Sequence, residues 1–359
     1  MTDFVPRPEW LQPQPPETAT ALPAPFYVGA GAAALDRRAV FARSWQLVAD
    51  ASRVSQPGDV AIAEVGGVPL VIVRDEHGTL RALHNVCRHR AGPLARCDAR
   101  GAKSLRCAYH GWTYALDGRL RAATEMADAR DFDVASIRLP EAVVVEWHGL
   151  VFAALDAAHV PPFAELVAGI DARLRQDLGV LRFDHRRSYD VACNWKAYVD
   201  NYLEGYHLPH VHPGLNRLLD YRSYDTELAT WHSLQSSPLD SADNFYGRGE
   251  ALYYFLYPNT MLNILPGRLQ TNRVVPTGPE TCRVEFDFFY AAGSDAAERA
   301  RQAKDQSFSD EIQAEDVQIC EEVQLRLASG SYFAGRLNPR RETGVRHFHE
   351  LLRAAYRDA

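Results

Sequence analysis

The sequence predicts an α+β fold: an N-terminal all-β domain followed by a larger domain of antiparallel strands and helices. Three observations predict it. Between residues 58 and 155, short apolar runs alternate with Gly-containing turns, the pattern of successive antiparallel hairpins. After Pro161-Pro162, apolar residues take helical spacing over 163–178, 194–207 and 309–327. Strand-like runs occupy 253–265, 270–276 and 282–291, so helices and an antiparallel sheet share one domain.

Taken in order, the chain opens with proline-rich text. Seven of the 21 prolines fall in the first 25 residues, which favours extended backbone over a packed core. Residues 1–33 are therefore expected to form an arm on the surface or on a neighbouring subunit. A helix is expected over 36–48, with Val40, Phe41 and Trp45 on one side. Hairpins follow. Strands 60–65 and 68–74 join through Gly66-Gly67, and the run 80–85 follows the turn Asp75-Glu76-His77-Gly78. Another hairpin turns at Asp117-Gly118, and strands 143–146 and 150–155 join through His148-Gly149. The expected domains are 34–158 and 159–359.

Composition narrows the function. The chain has 359 residues, 47% hydrophobic and 24% charged, as an ordinary globular protein does. No run of about 18 apolar residues occurs, so no membrane-spanning helix is expected. The N-terminus lacks a basic patch followed by an apolar run, the mark of a signal peptide. A net charge of −7 argues against a partner held through phosphates, such as nucleic acid. Six cysteines are too few for a disulfide scaffold, so reduced thiols in the cytoplasm are expected. Cys193, Cys282 and Cys320 read as small buried hydrophobes.

Two constellations carry chemistry. Cys87-Arg88-His89 and Cys107-Ala108-Tyr109-His110 each offer one thiolate and one imidazole after a strand-like run. Four such ligands suit tetrahedral zinc, or a Rieske [2Fe–2S] centre with two thiolates on one iron and two imidazoles on the other. Zinc fingers group Cys with Cys and His with His, whereas here each loop carries one of each, which favours the cluster. Cys97 has no partner in either loop. The second constellation lies at 194–207 and just beyond. On a helical wheel Asp200, Glu204 and His207 share one side, and His210 and His212 follow Pro209. Two imidazoles and one carboxylate make the facial triad that leaves positions open on ferrous iron. In 309–327 the apolar stripe holds Ile312, Ile319, Cys320, Val323 and Leu327, with Asp316 in its middle. An unpaired buried carboxylate is costly unless it binds a cation, so Asp316 is the expected third ligand.

These residues carry a resemblance. NVCRHRAGPLARC…LRCAYHGWTY resembles the Rieske motif of ring-hydroxylating and related Rieske non-haem iron oxygenases. NWKAYVDNYLEGYHLPHVHP resembles the iron-binding helix of their α subunits, its E/D-x₂-H-x₄-H met by Glu204, His207 and His212. EDVQICEEVQ resembles the segment with the third ligand, which maps to Asp316. SGSYFAGRLNPRRETGVRHFHELL and YFLYPNTMLNILPG fit α subunits that work without a β subunit, the choline- and carnitine-monooxygenase branch most of all. His210 is a departure that offers a second possible ligand, and Glu204 stands where many members have aspartate.

The resemblance implies a Rieske [2Fe–2S] domain and a helix-grip, START-like catalytic domain. It implies a cluster on Cys87, His89, Cys107 and His110, and mononuclear Fe²⁺ on His207, His212 and Asp316, with Asn201 in support. It implies a homotrimer in which Glu204 links His110 of one subunit to His207 of the next. The reaction would take O₂ and NAD(P)H-derived electrons to hydroxylate, demethylate or cleave a small substrate. No G-x-G-x-x-G follows a strand, so a separate flavin or iron–sulfur reductase is expected to bind the nicotinamide. Tyr246, Tyr253, Tyr254, Phe255 and Tyr257 suit a quaternary ammonium by cation–π attraction, or else simply pack a sheet. Aromatic-ring hydroxylation and O-demethylation are the alternatives. A Rieske electron carrier would need only 34–158. Arg88, Arg90, Arg96, Arg100, Lys103 and Arg106 flank the cluster loops with Asp98 the one acid among them, an expected docking patch for an acidic donor.

Overall fold

In the computed structural model, residues 4–219, 221–239, 244–293 and 295–359 are described. The chain divides into two units, residues 41–161 and residues 1–40 with 162–359. The smaller unit is all-β. Strands β1 (Gln46–Asp50), β2 (Val60–Val65), β3 (Val68–Arg74), β4 (Leu80–His84), β8 (Glu141–Trp147) and β9 (Leu150–Ala154) form one antiparallel sheet in the order β1-β9-β8-β4-β3-β2. A second sheet holds β5 (Leu105–Arg106), β6 (Thr113–Tyr114) and β7 (Leu120–Ala122). Its core packs Val71, Val73, Leu83, Leu105, Trp112 and Leu139 around the buried Cys87 and Cys107.

The larger unit carries α1 (Gly29–Leu35), α2 (Phe163–Leu166) and α3 (Ile170–Arg173), then α4 (Trp195–Tyr202), α5 (Leu208–Val211) and α6 (Pro213–Leu218). Its sheet runs β10 (Leu181–Val191), β16 (Thr281–Ala291), β15 (Arg268–Gly278), β14 (Thr260–Leu265), β13 (Glu250–Leu256), β12 (His232–Pro238) and β11 (Asp225–Leu228), antiparallel throughout. The long α7 (Ala296–Ala328) and the C-terminal α8 (Thr343–Arg357) complete it. No helix among the described residues is long and apolar enough to cross a membrane.

Four expectations need correction. The proline-rich segment is no free arm. Its prolines start short 3₁₀ turns, and Leu22 and Phe26 are buried. Backbone bonds from Ala21 to Gly335 and from Leu337 to Ala19 stitch it to the chain before α8. The apolar residues between the prolines drive this. The helix expected over 36–48 starts earlier and ends sooner: α1 runs on into a π-helical turn over Asp36–Val40 and a 3₁₀ turn over Phe41–Arg43, and Gln46–Asp50 is a fully buried strand; a short run buried on all sides has no readable period. The helix expected over 163–178 is two single turns, α2 and α3, parted by Gly169 at φ +81°, a left-handed conformation that breaks the run. The run 253–265 is two strands, because Pro258 cannot donate to a ladder and the chain turns there.

Candidate metal centres and substrate cavity

The two candidate cluster loops are built alike. Cys87 N donates to Gly92 O and Ala91 N to Cys87 O; Cys107 N donates to Trp112 O and Gly111 N to Cys107 O. Ala91 and Gly111 occupy the same place and both have positive φ, +56° and +74°. Ala108 N donates to Pro93 O and ties the loops together. The imidazoles of His89 and His110 stand with centroids 4.6 Å apart, and His89 stacks on Trp112 at 4.8 Å. The Nδ1 atoms of both histidines are buried without a hydrogen-bond partner. Two orphaned nitrogens beside two buried thiols are what a cluster between the loops would satisfy. Tyr114 supports Cys87: its hydroxyl lies 3.3 Å from Sγ. Burial, then that bond, pushes its pKa up. At Gly92 a Cβ would sit 2.8 Å from Cys107 Sγ, so a side chain there would invade the space beside the thiol. Cys97 is exposed and stands apart.

The second centre joins three segments. Asn194 caps α4 through a bond from Lys196 N, and the helix ends at Tyr202. Glu204 and His207 therefore lie beyond the helix, where the wheel placed them inside it. The cause is local: the Glu204 carboxylate takes the backbone N–H groups of Tyr206 and His207 and turns the chain. Asp200 faces elsewhere, accepting from Tyr27 Oη at 2.6 Å and His349 Nε2 at 2.8 Å. His207, His212 and Asp316 converge, with their ligand atoms within 4.8 Å of one another. Asp316 Oδ1 lies 2.9 Å from His212 Nε2 and 3.9 Å from His207 Nε2. His210 is exposed and outside this group.

The outer nitrogens are fixed too. His207 Nδ1 lies 2.5 Å from Glu204 Oε1, and His212 Nδ1 lies 2.7 Å from Glu315 Oε2. Each carboxylate holds the proton on Nδ1 and leaves Nε2 as the free lone pair, the usual arrangement around a metal-binding imidazole. Burial opposes charge on His212, yet Asp316 and Glu315 together raise its pKa. Two imidazoles facing a carboxylate call for a cation between them, and the donor set suits ferrous iron. Asn201 Nδ2 donates to Asp316 Oδ1 at 2.6 Å, which orients the carboxylate. Sequence reasoning missed Glu315. The clue was available: an imidazole ligand needs an acceptor on its other nitrogen, and Glu315 adjoins Asp316.

A cavity of about 120 Å³ opens beside these three residues. Tyr202, Tyr224, Tyr253, Phe286 and Phe308 give it aromatic walls, and Asn263, Arg268, Gln270 and Asn272 line it with polar groups. The expected aromatic cluster divides between the two roles: Tyr246 and Tyr253 line the cavity, whereas Phe255 packs on Phe348. Burial holds the Tyr202 and Tyr224 phenols well above their usual pKa, so their rings stay neutral.

The chain matches two family descriptions, "Ring hydroxylating alpha subunit (catalytic domain)" over residues 178–358 and "Rieske [2Fe-2S] domain" over residues 44–138. It is 37% identical over 356 residues to the chloroplastic choline monooxygenase of Arabidopsis thaliana, covering 94% of this chain and 83% of that one. It is 28% identical over 366 residues to the carnitine monooxygenase oxygenase subunit of Escherichia coli K12, covering 96% of each. The fold is similar to the quaternary ammonium Rieske monooxygenase CntA in complex with L-carnitine, with a TM-score of 0.84, 26% identity and coverage of 96% and 99%. Naphthalene 1,2-dioxygenase from Rhodococcus sp. shares the fold at a TM-score of 0.76 and 19% identity, over 94% of each chain.

Proposed function

The chain belongs to the ring-hydroxylating α-subunit family of Rieske oxygenases, and from that premise we propose that it oxygenates a small quaternary ammonium compound. It is an oxygenase with a [2Fe–2S] cluster and a mononuclear iron, and it requires an electron donor. When bound, the cluster passes single electrons and the ferrous iron activates dioxygen. Cys87, His89, Cys107 and His110 would hold the first, and His207, His212 and Asp316 the second. Residues 34–158 and 159–359 would be the corresponding domains.

The observation that carries the substrate class is the aromatic wall beside the three iron-binding side chains. Neutral ring faces attract a cation whose charge cannot be hydrogen-bonded. The two acids among the described lining residues are already engaged, Glu204 by His207 and Asp316 by Asn201 and by the cation it would share with the two histidines. Glu204 and Glu315 hold protons on the outer nitrogens of the two histidines, and Asn201 keeps Asp316 aimed.

The assembly we propose is a homotrimer supplied by a flavin or iron–sulfur reductase, with Glu204 linking the cluster of one subunit to His207 of the next. Its hydrogen bond to His207 supports this role. Substrate-dependent NADH and O₂ consumption with a reductase, screened over quaternary amines and aromatic acids, tests the reading. Turnover confined to aromatic acids would overturn it. Glu204→Gln keeps the side chain's shape and removes its charge. Both metals should remain, and single-turnover reoxidation of the cluster should slow at least tenfold; reoxidation at the wild-type rate refutes the bridge.

A further inference from the structure

The charged lining of the cavity is asymmetric. At one end stand Glu204, His207, His212 and Asp316; elsewhere Arg268, on β15, is the one arginine or lysine among the described lining residues. Its residue is only 5% exposed. The acid beside it is Asp305 on α7, with Nε 2.9 Å from Oδ2. Asp305 is otherwise saturated: Tyr246 Oη donates to Oδ1 and Tyr290 Oη to Oδ2, each at 2.6 Å. Arg268 Nε lies off the line of a hydrogen bond and is left as a buried donor without an acceptor. Of the terminal nitrogens, Nη2 donates to Gln270 Oε1. The rings of Tyr246 and Phe288 lie 5.8 Å from the guanidinium carbon. A guanidinium has five donors in a planar fork that matches a carboxylate, and here the fork is fixed in place with donors unspent.

The geometry also gives this end a direction. Arg268, Gln270 and Asn272 alternate along β15 and share its cavity face, and Gln270 Nε2 donates to Asn272 Oδ1 at 2.8 Å. This polar row spans about 13 Å of strand. On the facing helix α7, Asp305 beside Arg268 precedes Asp316 by eleven residues, about 16 Å of rise. The arginine and the iron-binding side chains are thus at opposite ends of an elongated site.

We propose that Arg268 determines specificity by binding a carboxylate at the end of the substrate far from the iron. The substrate is then an elongated zwitterion, a quaternary ammonium joined by a short chain to a carboxylate, and not an amino alcohol. The proposal rests on the oxygenase reading only for the orientation of the reacting end.

Isothermal titration of the metal-loaded protein with γ-butyrobetaine and with choline tests it independently of turnover. Wild type should bind the carboxylate compound at least tenfold more tightly. Arg268→Gln should weaken that binding about 100-fold and change choline binding less than threefold, and Arg268→Lys should recover part of the loss. Arg268→Gln with Asp305→Asn removes both charges and guards against a buried unpaired acid; it should show the same ligand discrimination. Equal losses for both ligands, equal wild-type affinities, or no binding of the carboxylate compound would overturn the proposal. Arginine-dependent binding of γ-butyrobetaine without any oxygenation would uphold it and sink the amine-oxygenation reading instead.

Discussion

Each imidazole of the candidate iron site has its second nitrogen committed to a carboxylate, Glu204 for His207 and Glu315 for His212. That commitment makes the histidines distinguishable by substitution. Asp316→Ala should lose one iron per chain and all oxygenation while the Rieske-type EPR signal persists. His210→Ala should keep all three irons and activity, because His210 is exposed, whereas His212→Ala should behave as Asp316→Ala does. Iron analysis and EPR on the three variants decide the set; iron lost from His210→Ala alone would reverse it. Asp316 stood out in sequence as the acid within an apolar stripe, although Val323 of that stripe is 42% exposed and the buried positions of α7 include Gln313 and Gln324. Asp200 was misread, since nothing in a wheel announces that Tyr27 and His349 come from distant segments to receive it.

Among the elements, the paired loops before and after β5 form a single device. Each uses one residue at positive φ to fold its cysteine carbonyl and amide inward. Cys107→Ser should abolish the visible absorption and the EPR signal of the cluster without unfolding the sheet, as circular dichroism would report. Colour unchanged in that variant would sink the ligand assignment. A second device fixes α4. Buried Asp36, just past α1, accepts from Trp195 Nε1 at 2.8 Å and Tyr356 Oη at 2.5 Å and pairs with Lys196, which is 0% exposed. Asp36→Ala strands a buried ammonium and should cost about 3–5 kcal/mol. Denaturant unfolding measures it; a loss under about 1 kcal/mol would mean that Lys196 finds another partner.

For the molecule as a whole, the expected docking patch has to be redrawn. Asp98 is paired with Arg53 at 2.8 Å, and Arg100 with Asp59 at 2.5 Å. Arg88, Arg96, Lys103 and Arg106 are exposed around the cluster loops. Steering of an acidic donor falls with salt, over a Debye length of about 8 Å at physiological ionic strength. Arg96→Glu with Lys103→Glu should raise the reductase KM several-fold and flatten its salt dependence, with dithionite reduction unchanged. A wild-type KM and salt slope would assign these cations elsewhere. The sequence by itself determined the α+β class, the hairpin order and the chemistry of both centres. Strand alternation, Gly turns and Cys/His spacing are local, and a local pattern is readable without knowing what packs on it. Only the tertiary structure decided where 194–207 stops being helical, that residues 1–40 cluster with 162–359, and which side chains line the cavity. Those outcomes depend on partners hundreds of residues away, such as His349 beneath Leu22, and on Asp305 meeting Arg268 across a sheet and a helix. No periodicity within either segment records its neighbour.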